Sequence, residues 1–176
     1  MSPLESNGTL HQNLELKALA PESSRVGAAL LRLGAHYECL LVQRDTYFHA
    51  PNGRLKLREI EGKPSQLIAY DRPEDQAQRF SRYRITEIAD PQGLIAVLTQ
   101  ALGVRGVVAK RRKLYLWQDS RIHLDEVEGL GNYLEFEVLS QGNSCSDWDR
   151  MEALMTAFGL RDADSIQASY SDLLGL

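Results

Sequence analysis

Residues 121–139 read R-I-H-L-D-E-V-E-G-L-G-N-Y-L-E-F-E-V-L, and this stretch decides the fold. Polar and apolar residues alternate on both sides of a turn at Gly129–Gly131. Alternation with a period of two is typical of strands that bury one face, so the stretch predicts a β-hairpin. One face of this hairpin carries Asp125, Glu135 and Glu137. Carboxylates that share a face repel one another unless a cation lies among them, which makes this face a candidate metal site.

Other segments show the same alternation with basic residues on the polar face. In Arg54–Arg58, three cations alternate with two leucines, and in Leu14–Lys17 an acid and a lysine alternate with two leucines. Four consecutive cations, residues 110–113, interrupt the otherwise largely apolar stretch from Val107 to Trp117. We therefore expect one polar surface that carries charges of both signs.

Two structures would explain such a surface. An antiparallel sheet can pack its apolar face on a core and leave its charged face in water. Alternatively, the sheet closes into a barrel, with the charged face inside and helices over the apolar outside, which creates a polar lumen. Inside a barrel, the basic wall would bind phosphate oxygens and the carboxylates would hold Mg²⁺ or Mn²⁺. Alternation alone does not decide between the two.

Helix signals separate the predicted strands. Capping residues and apolar spacing predict helices over residues 21–33, from Asp90 to Gly103, from Ser146 to Gly159, and from Asp162 or Asp164 to Leu174. Strands are predicted near residues 12–20, 36–50, 54–60, 66–72, 82–89, 104–118, 120–128 and 132–140. Hairpins interspersed with helices favour an α+β fold with a closed or nearly closed barrel.

Composition restricts the class of protein. The 176 residues are 43% hydrophobic and 25% charged, which indicates a single globular domain. A formal net charge of −4 argues against nucleic acid as a partner. The N-terminal residues do not resemble a signal peptide and no apolar run is long enough to span a membrane, so we expect no membrane partner. Cys39 and Cys145 fit no metal-binding spacing and predict two reduced thiols in a cytoplasmic protein.

The charged segments together resemble the CYTH, or triphosphate tunnel, superfamily over about residues 12–174. The likeness rests on L-E-L-K (14–17), Q-R-D-T-Y-F (43–48), G-R-L-K-L-R (53–58), Y-D-R-P (70–73), V-A-K-R-R-K-L-Y (108–115) and H-L-D-E-V-E-G-L-G-N-Y-L-E-F-E (123–137). The last block and the terminal S-Y-S-D-L-L (169–174) are most similar to the class IV adenylyl cyclase branch.

The resemblance implies an eight-stranded antiparallel closed tunnel barrel with helices packed on the outside. The whole chain, residues 1–176, is then one CYTH-like domain. Its expected parts are a flexible tail at 1–11, the barrel with two helices at 12–140, and C-terminal helices at 146–176.

The resemblance also implies a site, residue by residue. The implied metal ligands, for Mg²⁺ or Mn²⁺, are Glu15, Glu135 and Glu137. The implied phosphate-binding residues are Lys17, Lys56, Arg58, Arg72, Lys110 and Arg112, with Arg54 and Arg79 as weaker candidates. The expected catalytic residues are Lys17, Arg72 and Asp125. Asn13 stands where the family has its first acid, which removes one possible ligand. His123 shares a face with Asp125, but the sequence favours a structural role for it.

The activity implied by the resemblance is a metal-dependent reaction of ATP or another triphosphate. A class IV adenylyl cyclase would convert ATP to cyclic AMP and pyrophosphate. The alternative is a triphosphatase that hydrolyses inorganic triphosphate, thiamine triphosphate or a nucleoside triphosphate. A non-catalytic polyphosphate-binding module is a third alternative, because Asn13 replaces an acid. Both enzymes need the same basic wall, so the sequence does not separate them, and a homodimer also stays open.

Overall fold

The computed structural model describes residues 11–71, 80–140 and 144–176. The strands of this part of the chain are β1 (His11–Leu19), β2 (His36–Phe48), β3 (Arg54–Ile60), β4 (Ser65–Asp71), β5 (Phe80–Ile88), β6 (Val104–Trp117), β7 (Ser120–Val127) and β8 (Gly131–Leu139). The helices are α1 (Ser23–Leu33), α2 (Pro91–Leu102), α3 (Ser144–Phe158), a short 3₁₀ turn (Asp162–Asp164) and α4 (Tyr170–Leu173).

The eight strands form a closed antiparallel barrel in the order β1-β5-β4-β3-β2-β6-β7-β8, with β8 paired to β1. The predicted fold class is confirmed. Pairing of neighbouring strands places His123 opposite Glu135, and Glu135 opposite Lys17. It also places Glu15 opposite Glu137. Because side chains of directly opposed residues point to the same face of a sheet, these five side chains project from one face.

The larger hydrophobic core lies outside the barrel, between β1, β7 and β8 on one side and helices α1 and α3 on the other. Leu14, Leu134 and Phe136 are completely buried there. The rings of Phe136 and Phe158 lie 5.1 Å apart between centroids. Each such buried side chain contributes roughly 1.5–3 kcal/mol to stability. This packing fixes the strands whose opposite face carries the acidic residues.

Helix α2 packs far more loosely, beside β2 and β3. Asp90 caps it by accepting a hydrogen bond from the backbone nitrogen of Gly93 at 2.9 Å, and Pro91 is its first residue, as predicted. No residue of α2 is fully buried, and Val97 is 62% exposed. None of the helices in the described ranges has the length and apolar character needed to cross a membrane.

The predicted fourth helix is wrong over most of its length. After the 3₁₀ turn, residues 165–169 are not helical, and only Tyr170–Leu173 forms a helical turn, capped by Ser169. The reason is that this segment bonds to β1 instead of to itself. The backbone nitrogen of Ile166 donates to the Lys17 carbonyl oxygen at 2.7 Å, and Lys17 Nζ donates to the Ala168 carbonyl oxygen at 3.1 Å.

The C-terminal segment, residues 165–176, therefore packs against one end of the barrel. Tyr170 forms a second small core with Tyr47, Val108, Val127 and Tyr133, joined by apolar residues of the same segment. The rings of Tyr133 and Tyr170 meet edge to face at 5.2 Å. Tyr170 thereby enters the lumen from the end of the chain.

Candidate functional site

A cavity of about 470 Å³ occupies the barrel lumen, and every strand contributes to its lining. Its lining includes most of the charged residues that the sequence singled out: Glu15, Lys17, Lys56, Arg58, Lys110, Arg112, Glu135 and Glu137. The charged face of the sheet is thus inside, and the alternative of an open sheet with a solvated face is wrong. Asp125 does not line the cavity itself but binds Arg112 and Tyr170, which do. Arg72 and Arg79 lie outside the described residues.

On one wall, three cations surround the fully buried carboxylate of Asp45. Lys56 Nζ lies 3.0 Å from Asp45 Oδ2, and Lys110 Nζ lies 3.4 Å from the same oxygen. Arg58 binds both carboxylate oxygens, each at 2.8 Å. We call these four residues the Asp45 cluster. One negative charge against three basic groups leaves this wall positive, which suits an anion with several oxygens.

Burial and neighbouring charges together shift the pKa values of the Asp45 cluster. Burial alone would raise the pKa of Asp45, but the charges of Arg58, Lys56 and Lys110 outweigh it and hold this pKa well below its ordinary value. Burial lowers the pKa of Lys110 to about 7; Asp45 opposes this shift, and the like charges of Arg112 and Arg58 add to it. Lys110 is therefore a cation whose charge an incoming anion would strengthen.

On the other wall, acidic residues predominate. One ligand atom each of His123, Glu135 and Glu137 lies within 4.8 Å of the other two. With Asp125 these residues form what we call the Glu135 cluster. Glu135 Oε2 accepts a hydrogen bond from Arg112 Nη2 at 3.2 Å, and Glu137 Oε2 accepts one from Arg121 Nη1 at 3.2 Å. Each glutamate thus has one carboxylate oxygen bound to an arginine.

Arg112 connects this wall to Asp125. Its Nε and Nη2 donate to the two oxygens of Asp125 at 2.6 and 2.5 Å, and Tyr170 Oη donates to Asp125 Oδ2 at 2.8 Å. Burial would raise the pKa of Asp125, but Arg112 overcomes it and holds this pKa below its ordinary value. The sequence grouped Arg112 with the basic wall. The structure instead pairs it with carboxylates, so its guanidinium has no bond to the Asp45 cluster.

Strand β1 contributes less to the acidic wall than the sequence suggested. Glu15 faces the cavity opposite Glu137, but its carboxylate accepts a hydrogen bond from Ser81 Oγ and is not part of the 4.8 Å group. Asn13 is buried and donates its amide to Tyr83 Oη at 3.1 Å. Lys17, at 5% exposure, lies with its ammonium 4.3 Å from the centre of the Tyr170 ring.

His123 has an unusual environment for a buried histidine. It is 3% exposed, and its Nδ1 has no hydrogen-bond partner. The nearest carboxylate oxygen, Glu137 Oε1, is 3.7 Å away, which is too far for a hydrogen bond. Burial, together with the charge of Arg112, lowers the pKa of His123 to about 4. The imidazole is therefore neutral at pH 7, with a lone pair on one nitrogen.

These residues fit a divalent cation. Two carboxylates supply oxygen atoms and a neutral imidazole supplies nitrogen, all on one buried wall. The unpartnered Nδ1 of His123 is the observation that points to a ligand, since buried polar groups normally have partners.

A network of ion pairs holds the C-terminal segment to the barrel end. Asp172 binds Arg54 Nη2 at 2.7 Å and Arg105 Nη2 at 3.0 Å. Arg105 Nε also donates to the carbonyl oxygen of Leu176 at 2.7 Å, and Arg54 donates to Ser169 Oγ. Arg54, a weaker phosphate-binding candidate from the sequence, is thus committed to this network.

Sequence reasoning missed Asp45 and Tyr170. Asp45 had a signal, because it alternates with Gln43 and Tyr47 on the polar face of β2, inside a segment already noted for its family likeness. Tyr170 lies in the terminal block 169–174, which was noted for its family likeness, but no local pattern shows that the path of residues 165–169 brings it into the lumen.

Comparisons with known proteins agree with this architecture. The family model for the CYTH domain matches residues 11–170. A putative adenylate cyclase of Methanocaldococcus jannaschii is 24% identical over 174 residues, which cover 93% of this chain and 98% of that protein. Among solved structures, a protein of Pyrococcus horikoshii has a TM-score of 0.81 at 25% identity, over 92% of this chain and 98% of its own.

A solved structure from Hippeastrum shares the fold at lower similarity. It has a TM-score of 0.65 and 18% identity, and the match covers 93% of this chain and 95% of that one. That protein is described as a putative adenylyl cyclase with a dominant triphosphatase activity.

Proposed function

Because the chain belongs to the CYTH domain family, we propose that it is a divalent-metal-dependent enzyme that acts on a triphosphate inside the barrel. The observation that carries the proposal is the pairing of two opposite walls in one cavity. The Asp45 cluster has an excess of cations, and the Glu135 cluster has an excess of carboxylates. A triphosphate with its metal ion has both signs of charge and would complement both walls.

In this proposal the phosphate groups bind along the basic wall. Lys56, Arg58 and Lys110 would donate charge-assisted hydrogen bonds to phosphate oxygens, and Lys17 would extend the wall toward Glu135. Asp45 would keep part of its bonds and hold the three cations in place. Positioning and electrostatic stabilisation account for most of the catalysis of phosphoryl transfer, so a preformed array of this kind is what the reaction requires.

Glu135 and Glu137 would hold Mg²⁺ or Mn²⁺ on the acidic wall. Such a cation, when bound, neutralises charge on the phosphate oxygens during the reaction. Arg112 and Arg121 bind one oxygen of each glutamate and would fix the orientation of the two carboxylates. Asp125 would act by orienting Arg112 and Tyr170 instead of contacting the substrate.

Adenylyl cyclase activity is the version we favour. The ribose 3′-hydroxyl of ATP would attack the α-phosphorus, and pyrophosphate would leave. Leu41, Ile60, Ile85 and Leu114 give the cavity an apolar part that a nucleobase could occupy and that inorganic triphosphate would not need. The name of the Methanocaldococcus jannaschii relative supports the same choice. An ATP substrate also supports a cytoplasmic location.

Hydrolysis of a triphosphate is the second candidate. Water would attack the terminal phosphorus, and the same two walls would serve. The triphosphatase activity described for the Hippeastrum protein of this fold supports it.

A side-by-side assay tests the proposal. ATP, inorganic triphosphate and thiamine triphosphate are each offered with Mg²⁺ or Mn²⁺, and cyclic AMP, pyrophosphate and free phosphate are measured. Cyclic AMP from ATP supports the cyclase, and free phosphate from any of the three supports the triphosphatase. Tight binding of a triphosphate without turnover would contradict the proposed enzyme and support a polyphosphate-binding module.

Glu135→Gln links the activity to the acidic wall. Loss of a metal-binding carboxylate should lower the rate by at least about 100-fold, and excess Mn²⁺ should restore part of it. Glu152→Gln, at an exposed position of α3, is the matched control and should retain the full rate. An unchanged metal requirement in Glu135→Gln would contradict the assignment of this wall.

A further inference from the structure

The proposed reaction assigns no role to the side chain of His123. Strand β7 places it in the lumen between Arg121 and Asp125, opposite Glu135 on β8. A histidine with a structural role normally satisfies its nitrogens through hydrogen bonds. Here Nδ1 is buried without a partner, and the ring lies in one group with the carboxylates of Glu135 and Glu137. The lone pair of this imidazole is available to an electron-pair acceptor.

The surroundings of His123 match those of a metal ligand. Its Nδ1 lies 3.7 Å from Glu137 Oε1, beyond hydrogen-bonding distance. Two ligand atoms of one cation, each bonded at about 2.0–2.2 Å, can be at most roughly 4.4 Å apart, so 3.7 Å is compatible with a shared ion. Arg121 and Arg112 bind only one oxygen of Glu137 and Glu135 respectively, which leaves the other oxygens to such an ion.

Strand β1 cannot easily complete an all-oxygen site. Asn13 uses its amide to bond Tyr83, and the carboxylate of Glu15 bonds Ser81 and lies outside the group of clustered ligand atoms. Within the described part of the chain, the third candidate ligand atom grouped with Glu135 and Glu137 is therefore the imidazole nitrogen of His123.

We infer that His123 is a protein ligand of the catalytic cation and biases the site toward metals that accept imidazole, such as Mn²⁺ or Co²⁺, over Mg²⁺. The inference rests on the proposed function, because that function places a cation between Glu135 and Glu137. Mg²⁺ is a hard ion that strongly prefers oxygen, whereas imidazole suits transition metals. Under this assignment, the three protein ligands are two glutamates and one histidine.

Direct metal binding tests the inference without any substrate turnover. Wild-type protein, His123→Asn and His36→Asn are titrated with Mn²⁺ by electron paramagnetic resonance, with Co²⁺ by visible absorption and with Mg²⁺ by calorimetry. His36 is exposed and lies outside the cavity, so its variant controls for the loss of a histidine. His123→Asn should lower the affinities for Mn²⁺ and Co²⁺ by about tenfold or more and change the affinity for Mg²⁺ by less than about threefold.

A spectroscopic measurement on the wild-type protein does not depend on the variant's folding. Pulsed electron paramagnetic resonance of the Mn²⁺ complex should show coupling to an imidazole nitrogen, and His123→Asn should lose it. An equal loss of Mg²⁺ and Mn²⁺ affinity in His123→Asn, or a wild-type Mn²⁺ complex without nitrogen coupling, would overturn the inference. Either result would still be compatible with a metal bound by the two glutamates. If the wild type bound no divalent cation with or without triphosphate, the proposed function would fail as well.

Discussion

The two charged walls of the lumen differ in how completely the protein neutralises them. In the Asp45 cluster one carboxylate is shared by three basic groups, so the protein keeps a surplus of positive charge. In the Glu135 cluster Arg112 and Arg121 pair with three carboxylates and the imidazole is neutral, so one negative charge is left over. A fold optimised only for stability would mix these charges into neutral pairs. Separation of the surpluses indicates a ligand that carries both signs.

The separation has a cost in stability. Buried ions lose hydration, and their mutual attraction repays this only when geometry and hydrogen bonding are good. For the acidic wall, the compensation comes from the apolar face of β1 and β8, where Leu14, Leu134 and Phe136 pack against α1 and α3. The interior of the barrel thus holds the candidate site, and its exterior supplies the larger core.

The largest effect expected from this comparison is on folding. Arg112→Ala should destabilise the protein by about 3–5 kcal/mol, because Asp125 and Glu135 would lose their shared partner in a buried position. Arg58→Ala should cost clearly less, since Lys56 and Lys110 would still neutralise Asp45. Urea unfolding measures both, with Arg111→Ala on the outside of β6 as the control. Equal losses in the two cavity variants would show that the walls do not differ as described.

The next prediction concerns the surplus on the basic wall. Asp45→Asn removes the single negative charge that three cations share, and should destabilise the free protein by about 1–3 kcal/mol. The same variant should gain more thermal stability from inorganic triphosphate than the wild type does, because the anion then replaces the missing carboxylate. Thermal unfolding with and without triphosphate makes the comparison. Identical ligand-induced shifts in both proteins would mean that triphosphate does not bind at Asp45.

The sequence predicted this arrangement unevenly, and particular residues show why. The hairpin of residues 121–139 was confirmed because period-two alternation is a local signal that a strand obeys along its whole length. The partners of Arg112 were not predictable from the sequence, where it follows Lys110 on the polar face of one strand. Only the register of β6 with β7 places it opposite Asp125. The fourth helix failed because Ile166 and Ala168 bond to Lys17 of β1, and helical periodicity in the sequence carries no signal of such tertiary contacts.

The smallest and most specific effect that we predict concerns the protonation of Lys110. Its pKa in the folded protein is about 7, below the ordinary value for lysine, so the unfolded chain binds more protons above pH 7. The free energy of unfolding should therefore rise as the pH is raised from 7 toward the ordinary lysine pKa. Triphosphate affinity should change in the opposite direction, since a bound anion favours the charged form and raises the pKa of Lys110. We expect an affinity loss of about threefold between about pH 7 and 8.

Two lysine variants isolate this titration from that of the triphosphate itself. Lys110→Met should flatten both pH dependences, while Lys113→Met, at an exposed position of the same strand, should leave both as in the wild type. Calorimetry of triphosphate binding and urea unfolding, each across the pH range, provide the measurements. If Lys110→Met kept the wild-type pH dependence of binding, then Lys110 would not contact the phosphates. The surplus charge of the basic wall would then have to come from Lys56 and Arg58 alone.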